Sequence, residues 1–140
     1  MCRLGASGIA LVAAASVAQI DIINLLLDNG ADVNLRTKYG TALGVSSRSG
    51  HTEVVRLLIE RGANLGSLNS EEGHVSPLEF AAEEGHINIV HLLLDAGADI
   101  NLAYGYGEGA LVAASQRGHT EIIRLLIEKG ISAHFHSFFT

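Results

Sequence analysis

Asp21-Ile22-Ile23-Asn24-Leu25-Leu26-Leu27-Asp28-Asn29-Gly30-Ala31 recurs as Glu53-Val54-Val55-Arg56-Leu57-Leu58-Ile59-Glu60-Arg61-Gly62-Ala63. It returns as Asn88-Ile89-Val90-His91-Leu92-Leu93-Leu94-Asp95-Ala96-Gly97-Ala98 and as Glu121-Ile122-Ile123-Arg124-Leu125-Leu126-Ile127-Glu128-Lys129-Gly130-Ile131. The closing glycines lie 32, 35 and 33 residues apart. A period of this length marks a stacked-repeat solenoid, in which each unit buries its apolar face only against its neighbours. Within each copy the apolar residues fall at helical spacing, as in Val54, Val55, Leu57 and Leu58, while Glu53, Arg56 and Glu60 face water. Gly30, Gly62, Gly97 and Gly130 stand where a left-handed C-terminal cap belongs.

Each copy follows a second repeated stretch, fullest as Ser76-Pro77-Leu78-Glu79-Phe80-Ala81-Ala82-Glu83-Glu84-Gly85-His86. Its counterparts run from Thr41 to His51 and from Gly109 to His119, with a weaker copy from Ile9 that ends on Ala18-Gln19 instead of Gly-His. A hydroxyl at Thr41 or Ser76 suits a helix N-cap, and Pro77 is pre-set for the first helical position. Glycine at 50, 85 and 118 then turns the chain into the second helix.

Together the two stretches resemble the ankyrin motif: T-P-L-H-x-A-A, a Gly-His turn, E-I-V-x-L-L-L, then G-A-D-V-N. The match spans about Ile9 to Ile131. It implies an all-α ankyrin-repeat solenoid of four helix-turn-helix units with projecting, β-hairpin-like finger loops. The units fall at about 5–34, 37–66, 72–101 and 105–134, with a tail at 135–140, all in one domain. Tyr39-Gly40, echoed at Tyr106-Gly107, resembles ankyrin arrays common in filamentous fungi. Such arrays often follow a nucleotide-hydrolysing signalling domain, so the resemblance implies a scaffold or sensor context in a longer polypeptide.

A net charge of −6 with only nine scattered basic residues argues against nucleic acid or an anionic membrane as partner, since both need clustered cations. No stretch approaches the ~20 apolar residues of a membrane span. The single cysteine, Cys2, precludes an internal disulfide and suits a reducing, cytoplasmic or nuclear compartment. Met1 to Gln19 imitates a signal peptide, with Arg3, an apolar run and Ser16-Val17-Ala18. Yet Leu11, Ala14 and Ala15 keep register with Leu43, Ser46 and Ser47, which favours the first helix of a repeat.

The ends depart from the interior pattern. Ile9 to Ile20 carries no charge, whereas a terminal repeat needs a polar outer face. This predicts an uncapped N-terminal repeat prone to self-association, with Val12 and Val17 among its exposed residues, and further repeats before it in the natural protein or its ancestor. At the other end Ile131-Ser132-Ala133-His134 replaces the usual continuation and runs into Phe135, Phe138 and Phe139. That tail either folds back as a cap or belongs to something longer.

The chemistry-bearing residues imply no enzyme and no cofactor. His51, His86 and His119 align along the stack, but helices pack roughly 10 Å apart, and zinc needs its ligands within about 2.1 Å of one ion. They resemble the family's turn histidine. His91 falls on the solvent side of its helix, and the His134-x-His136 pair lacks a third ligand. Gly105-Tyr106-Gly107-Glu108-Gly109 lacks the strand that a phosphate loop requires, and Glu108 repels phosphate. Glu83 and Glu84, adjacent in a helix, point apart and make no acid–base pair.

The varying surface is the informative one. In the ankyrin family the inner-helix edge and the finger tips form the concave binding face. Here that face comprises Arg36, Lys38, Tyr39, Arg48, His74, Glu83, Glu84, Tyr104, Tyr106, Glu108 and Arg117. All three tyrosines lie on fingers, and tyrosine with arginine is a common interface anchor. An exposed charge ladder of Arg48, Glu83 or Glu84, and Arg117 is the competing reading. The second finger, Asn64 to Val75, exceeds the first by about three residues, a tolerated insertion or added reach. The leading expectation is a protein-interaction module holding a protein partner. The alternatives are a stand-alone inhibitor, similar in size to the four-repeat cyclin-dependent kinase inhibitors, and a structural spacer.

Overall fold

A computed structural model describes residues 2–66, 76–100 and 109–139. Among the described residues eight helices follow in order: α1 (Cys2–Ser16), α2 (Ile20–Asp28), α3 (Ala42–Ser49), α4 (Thr52–Glu60), α5 (Pro77–Glu84), α6 (Ile87–Asp95), α7 (Gly109–Arg117) and α8 (Thr120–Phe139). They pair as four helix-turn-helix units. Inner helices α1, α3, α5 and α7 stack in sequence, with outer helices α4, α6 and α8 behind them.

Side-chain size sets this layering. The inner helices meet through small buried residues (Ala14, Ala15, Ser46, Ser47, Ala81, Ala82 and Ala114), which let their backbones come close. The outer helices fill their interfaces with Ile23, Val54, Val55, Leu58, Ile89, Val90 and Leu93, all buried, which hold the helices further apart. Small residues inside and large ones outside curve the stack toward its inner face.

The helix ends follow the residue chemistry. Thr41 Oγ1 accepts the Gly44 amide at 3.1 Å, and Ser76 Oγ accepts the Glu79 amide at 3.1 Å, with Pro77 opening α5. The outer helices α2, α4 and α6 close in Schellman motifs. There the Gly30 amide donates to the Leu27 carbonyl and the Ala31 amide to that of Leu26, and Gly62-Ala63 and Gly97-Ala98 repeat the pattern.

Three expectations need correction. Gly130 is no left-handed cap: it lies inside α8, which runs on to Phe139, so the tail backbone continues the helix instead of turning back. Its successors Ile131-Ser132-Ala133-His134 do not reproduce the Ala-Asp continuation that follows Gly30 and Gly97, and nothing at that point enforces a turn. The first helix begins at Cys2, not near Ile9, because Ile9 occupies the place of Thr41 and Ser76 but has no oxygen to cap a helix. Val12 is buried, whereas Val17 is exposed as expected.

Gly-His turns join the units. His51 Nε2 lies 3.0 Å from the Ser16 carbonyl, His86 Nε2 3.0 Å from that of Arg48, and His119 Nε2 2.8 Å from that of Glu83. A carbonyl only accepts, so each Nε2 carries the proton and donates it to the preceding unit. The His86 and His119 rings also lie over the turn glycine of the preceding unit. A Cβ at Gly50 would come 2.7 Å from His86, and one at Gly85 would come 2.7 Å from His119. Asn34 Oδ1 adds a cross-unit bond by accepting the Asn64 amide at 2.7 Å, as does the 2.7 Å Arg61–Asp28 ion pair.

Ala18 breaks the turn pattern: it holds φ +57°, the left-handed conformation that Gly50, Gly85 and Gly118 adopt at the same position. An L-residue there costs about 1–2 kcal/mol, and the extra backbone entropy of glycine offsets about 0.5–1 kcal/mol of that. Ala18→Gly therefore raises stability by about 0.5–1 kcal/mol. Chemical denaturation followed by circular dichroism measures this, and an unchanged or lower midpoint would contradict it.

Candidate partner-binding groove

The first finger is built by its own short-range hydrogen bonds. Asp32 Oδ1 accepts the Asn34 amide at 2.9 Å, and the Leu35 amide reaches the Asp32 carbonyl at 3.2 Å. Thr37 and Gly40 then exchange main-chain bonds of 3.0 and 2.9 Å. The Thr37 hydroxyl donates to the Gly40 carbonyl at 2.9 Å and accepts the Tyr39 amide at 3.1 Å. Gly40 takes φ +103°, a conformation open to glycine. These bonds fix Lys38 and Tyr39 at the two-residue tip, with Lys38 Nζ 5.1 Å from the Tyr39 ring centre. Tyr39 keeps 72% of its surface exposed.

Leu35 docks the finger against α1 at Gly8. A Cβ on Gly8 would lie 2.1 Å from Leu35 Cδ2, so the glycine makes room for the leucine. Between finger and inner helices runs a groove of about 1240 Å³. Ile9 and Val12 of α1 and Val45 of α3 give it an apolar floor, and Phe80 of α5 lies at its far side. The Arg48 guanidinium sits over the Phe80 ring, 5.6 Å from its centre. The Arg48 main chain is held as well, because its carbonyl accepts the His86 proton.

Among the described residues the groove lining is cationic: it holds Arg36, Lys38 and Arg48 and no aspartate or glutamate, in a chain of net charge −6. Further along the inner edge the charges cancel, since Arg117 Nη2 meets Glu83 Oε1 at 3.0 Å. Exposed pairs of this kind contribute at most about 1 kcal/mol. Among the described residues no three of His, Cys, Asp and Glu gather into a metal site. No described helix is long and apolar enough to cross a membrane.

The structure thus gathers Arg36, Lys38, Tyr39 and Arg48 in one groove. Glu83 and Arg117 engage each other, and Glu84 is exposed at the end of α5. His74, Tyr104, Tyr106 and Glu108 lie outside the described residues, as does most of the second finger. Phe80 is not among the residues expected on this face. The signal was present in the sequence, because Phe80 is the one aromatic in the column Ala13, Val45, Phe80, Ala113.

Family comparison agrees with this architecture. A model of ankyrin repeats in three copies matches residues 11–104, and a single ankyrin-repeat model matches residues 106–136. The chain belongs to the ankyrin-repeat family, whose repeats serve as protein–protein interaction modules. A curated relative from Oryza sativa subsp. japonica, the probable E3 ubiquitin-protein ligase XBOS33, is 43% identical over 70 residues. That alignment takes in 49% of this chain and 13% of the ligase, so the chain spans only a small part of its relative's length.

Proposed function

We propose that this chain is a non-catalytic interaction module that holds a protein partner in the groove between the first finger and the inner helices. The observation that carries this reading is the convergence of an exposed, backbone-pinned Tyr39 with Lys38, Arg48 and an apolar floor. Rigid aromatic and arginine anchors beside an apolar patch are what hot spots of binding are made of. A pure spacer has no use for such a tip. The proposal includes a place in a longer scaffold or sensor polypeptide and a cytoplasmic or nuclear setting. The ligase activity in the relative's name is not carried over, since the alignment takes in so little of that protein.

Affinity capture from cells that make the protein, with the natural chain beside two variants, tests the reading. Tyr39→Ala/Arg48→Ala loses the partner by tenfold or more, while Arg56→Ala/Arg124→Ala on the outer helices retains it. Equal retention by both variants would contradict the groove as the binding face.

A second reading, self-association through the first repeat, has its own support. Ile22 is 46% and Leu25 63% exposed, whereas the equivalents of Ile22 in the later units (Val54, Ile89 and Ile122) are at most 2% exposed. The preceding unit covers this column in every later repeat, so the bare face in the first repeat is shaped to take a helical neighbour. Light scattering behind a sizing column finds mass rising with concentration, and Ile22→Glu/Leu25→Lys restores the monomer mass. A constant monomer mass across the range would contradict this reading.

A further inference from the structure

We propose that the groove takes an acidic, extended peptide segment in which carboxylates flank an apolar side chain. The inference rests on the groove being the partner face and adds the chemistry of the partner. Cations gather here although the chain as a whole is acidic: Lys38 and Arg48 both line this one groove, no carboxylate does among the described residues, and the molecule carries −6. A local positive field inside an acidic protein selects a short anionic segment. It does not favour a long polyanion, which the rest of the surface repels.

Arg48 is the residue best prepared for a carboxylate. Its guanidinium carbon lies over the Phe80 ring, no hydrogen bond among the described residues uses its N–H donors, and a planar guanidinium can take a carboxylate in a fork. Its backbone is fixed by the bond from His86, so binding has only the side chain to order. Lys38, held at the finger tip, supplies a second positive charge across the groove. Between them Ile9, 59% exposed, together with Val45 offers an apolar seat for one side chain of the segment. Apolar floor and cationic rim on one surface fit a peptide of mixed character better than a bare phosphate chain.

Panning a random-peptide display library on the full chain tests this, with the selected peptides synthesised and measured by fluorescence anisotropy. The expected peptides are enriched in Asp and Glu around Leu, Ile or Phe. Their Kd rises at least tenfold on Lys38→Glu/Arg48→Glu and rises again with added salt. Both side chains are exposed, and circular dichroism verifies that the fold is kept. Peptides without acidic enrichment whose binding is still lost on Tyr39→Ala would overturn the acidic assignment and leave the groove as partner face. Peptides indifferent to every groove substitution would overturn the groove reading itself. Displacement of the peptides by a single-stranded oligonucleotide at equal or higher affinity would reassign the groove to polyphosphate.

Discussion

Replacing Gly85 by alanine lowers stability by about 1–2.5 kcal/mol, about twice the loss from the same change at Gly118. Both glycines are left-handed, with φ +81° and +74°, so both substitutions carry the same net conformational cost as at position 18, about 0.5–1 kcal/mol. Only Gly85 has a neighbour: its new Cβ would come 2.7 Å from the His119 ring, whereas nothing lies within 4 Å of one at Gly118. The ring must retreat, and its bond to the Glu83 carbonyl goes with it, a further loss of about 0.5–1.5 kcal/mol. His119→Ala alone costs that hydrogen bond. Gly85→Ala/His119→Ala then costs less than the two single changes added together, by 0.5 kcal/mol or more, because the alanine at 119 leaves room for the Cβ. Urea unfolding of the four variants measures the cycle. Equal losses at Gly85 and Gly118 would show that the histidine does not join the repeats in this way.

Leu93→Ala lowers stability by about 2–5 kcal/mol, the cost of a large-to-small change in a site that cannot collapse. Leu93 is fully buried on α6, midway along the stack, and its carbonyl receives the Ala98 amide that closes the helix. Its equivalent in the first unit, Leu26, is only half-buried. Leu26→Ala therefore costs at most half as much. Stability in a solenoid is close to a sum of unit and nearest-neighbour interface terms, so the interior position bears two interfaces and the end position one. Unfolding midpoints for the pair decide the point, and equal losses would mean the chain does not behave as a linear stack.

The sequence made most of this architecture legible because the repeat multiplies weak signals. One Leu-Leu-Leu run is ambiguous, but four in register are not. The cap oxygens of Thr41 and Ser76, Pro77 at the helix start and the closing Gly30, Gly62 and Gly97 all act within a few residues, so their effects can be read without the fold. The turn histidines read as structural from their Gly-His setting, and they bond carbonyls 35 to 38 positions away.

What escaped depends on missing signals or distant neighbours. Gly130 has the same helix before it as Gly30 but not the same continuation after it, and the helix passes through. Ile9 fails to cap, so α1 extends back to Cys2. In the competing reading Arg48 joins a charge ladder with Glu83 or Glu84 and Arg117; it lies over Phe80 instead, and only the Glu83–Arg117 rung forms. The ring of Phe80 comes to Arg48 from the next repeat, and its size, not its charge, decides the contact.

Hydrogen–deuterium exchange of the chain with and without its captured partner tests the central claim most directly. The account predicts new protection at the first finger, residues 35–40, and at the inner-helix segment around Arg48 and Phe80, with α4 and α6 unchanged. Protection confined to the outer helices, with the finger exchanging as before, would contradict it.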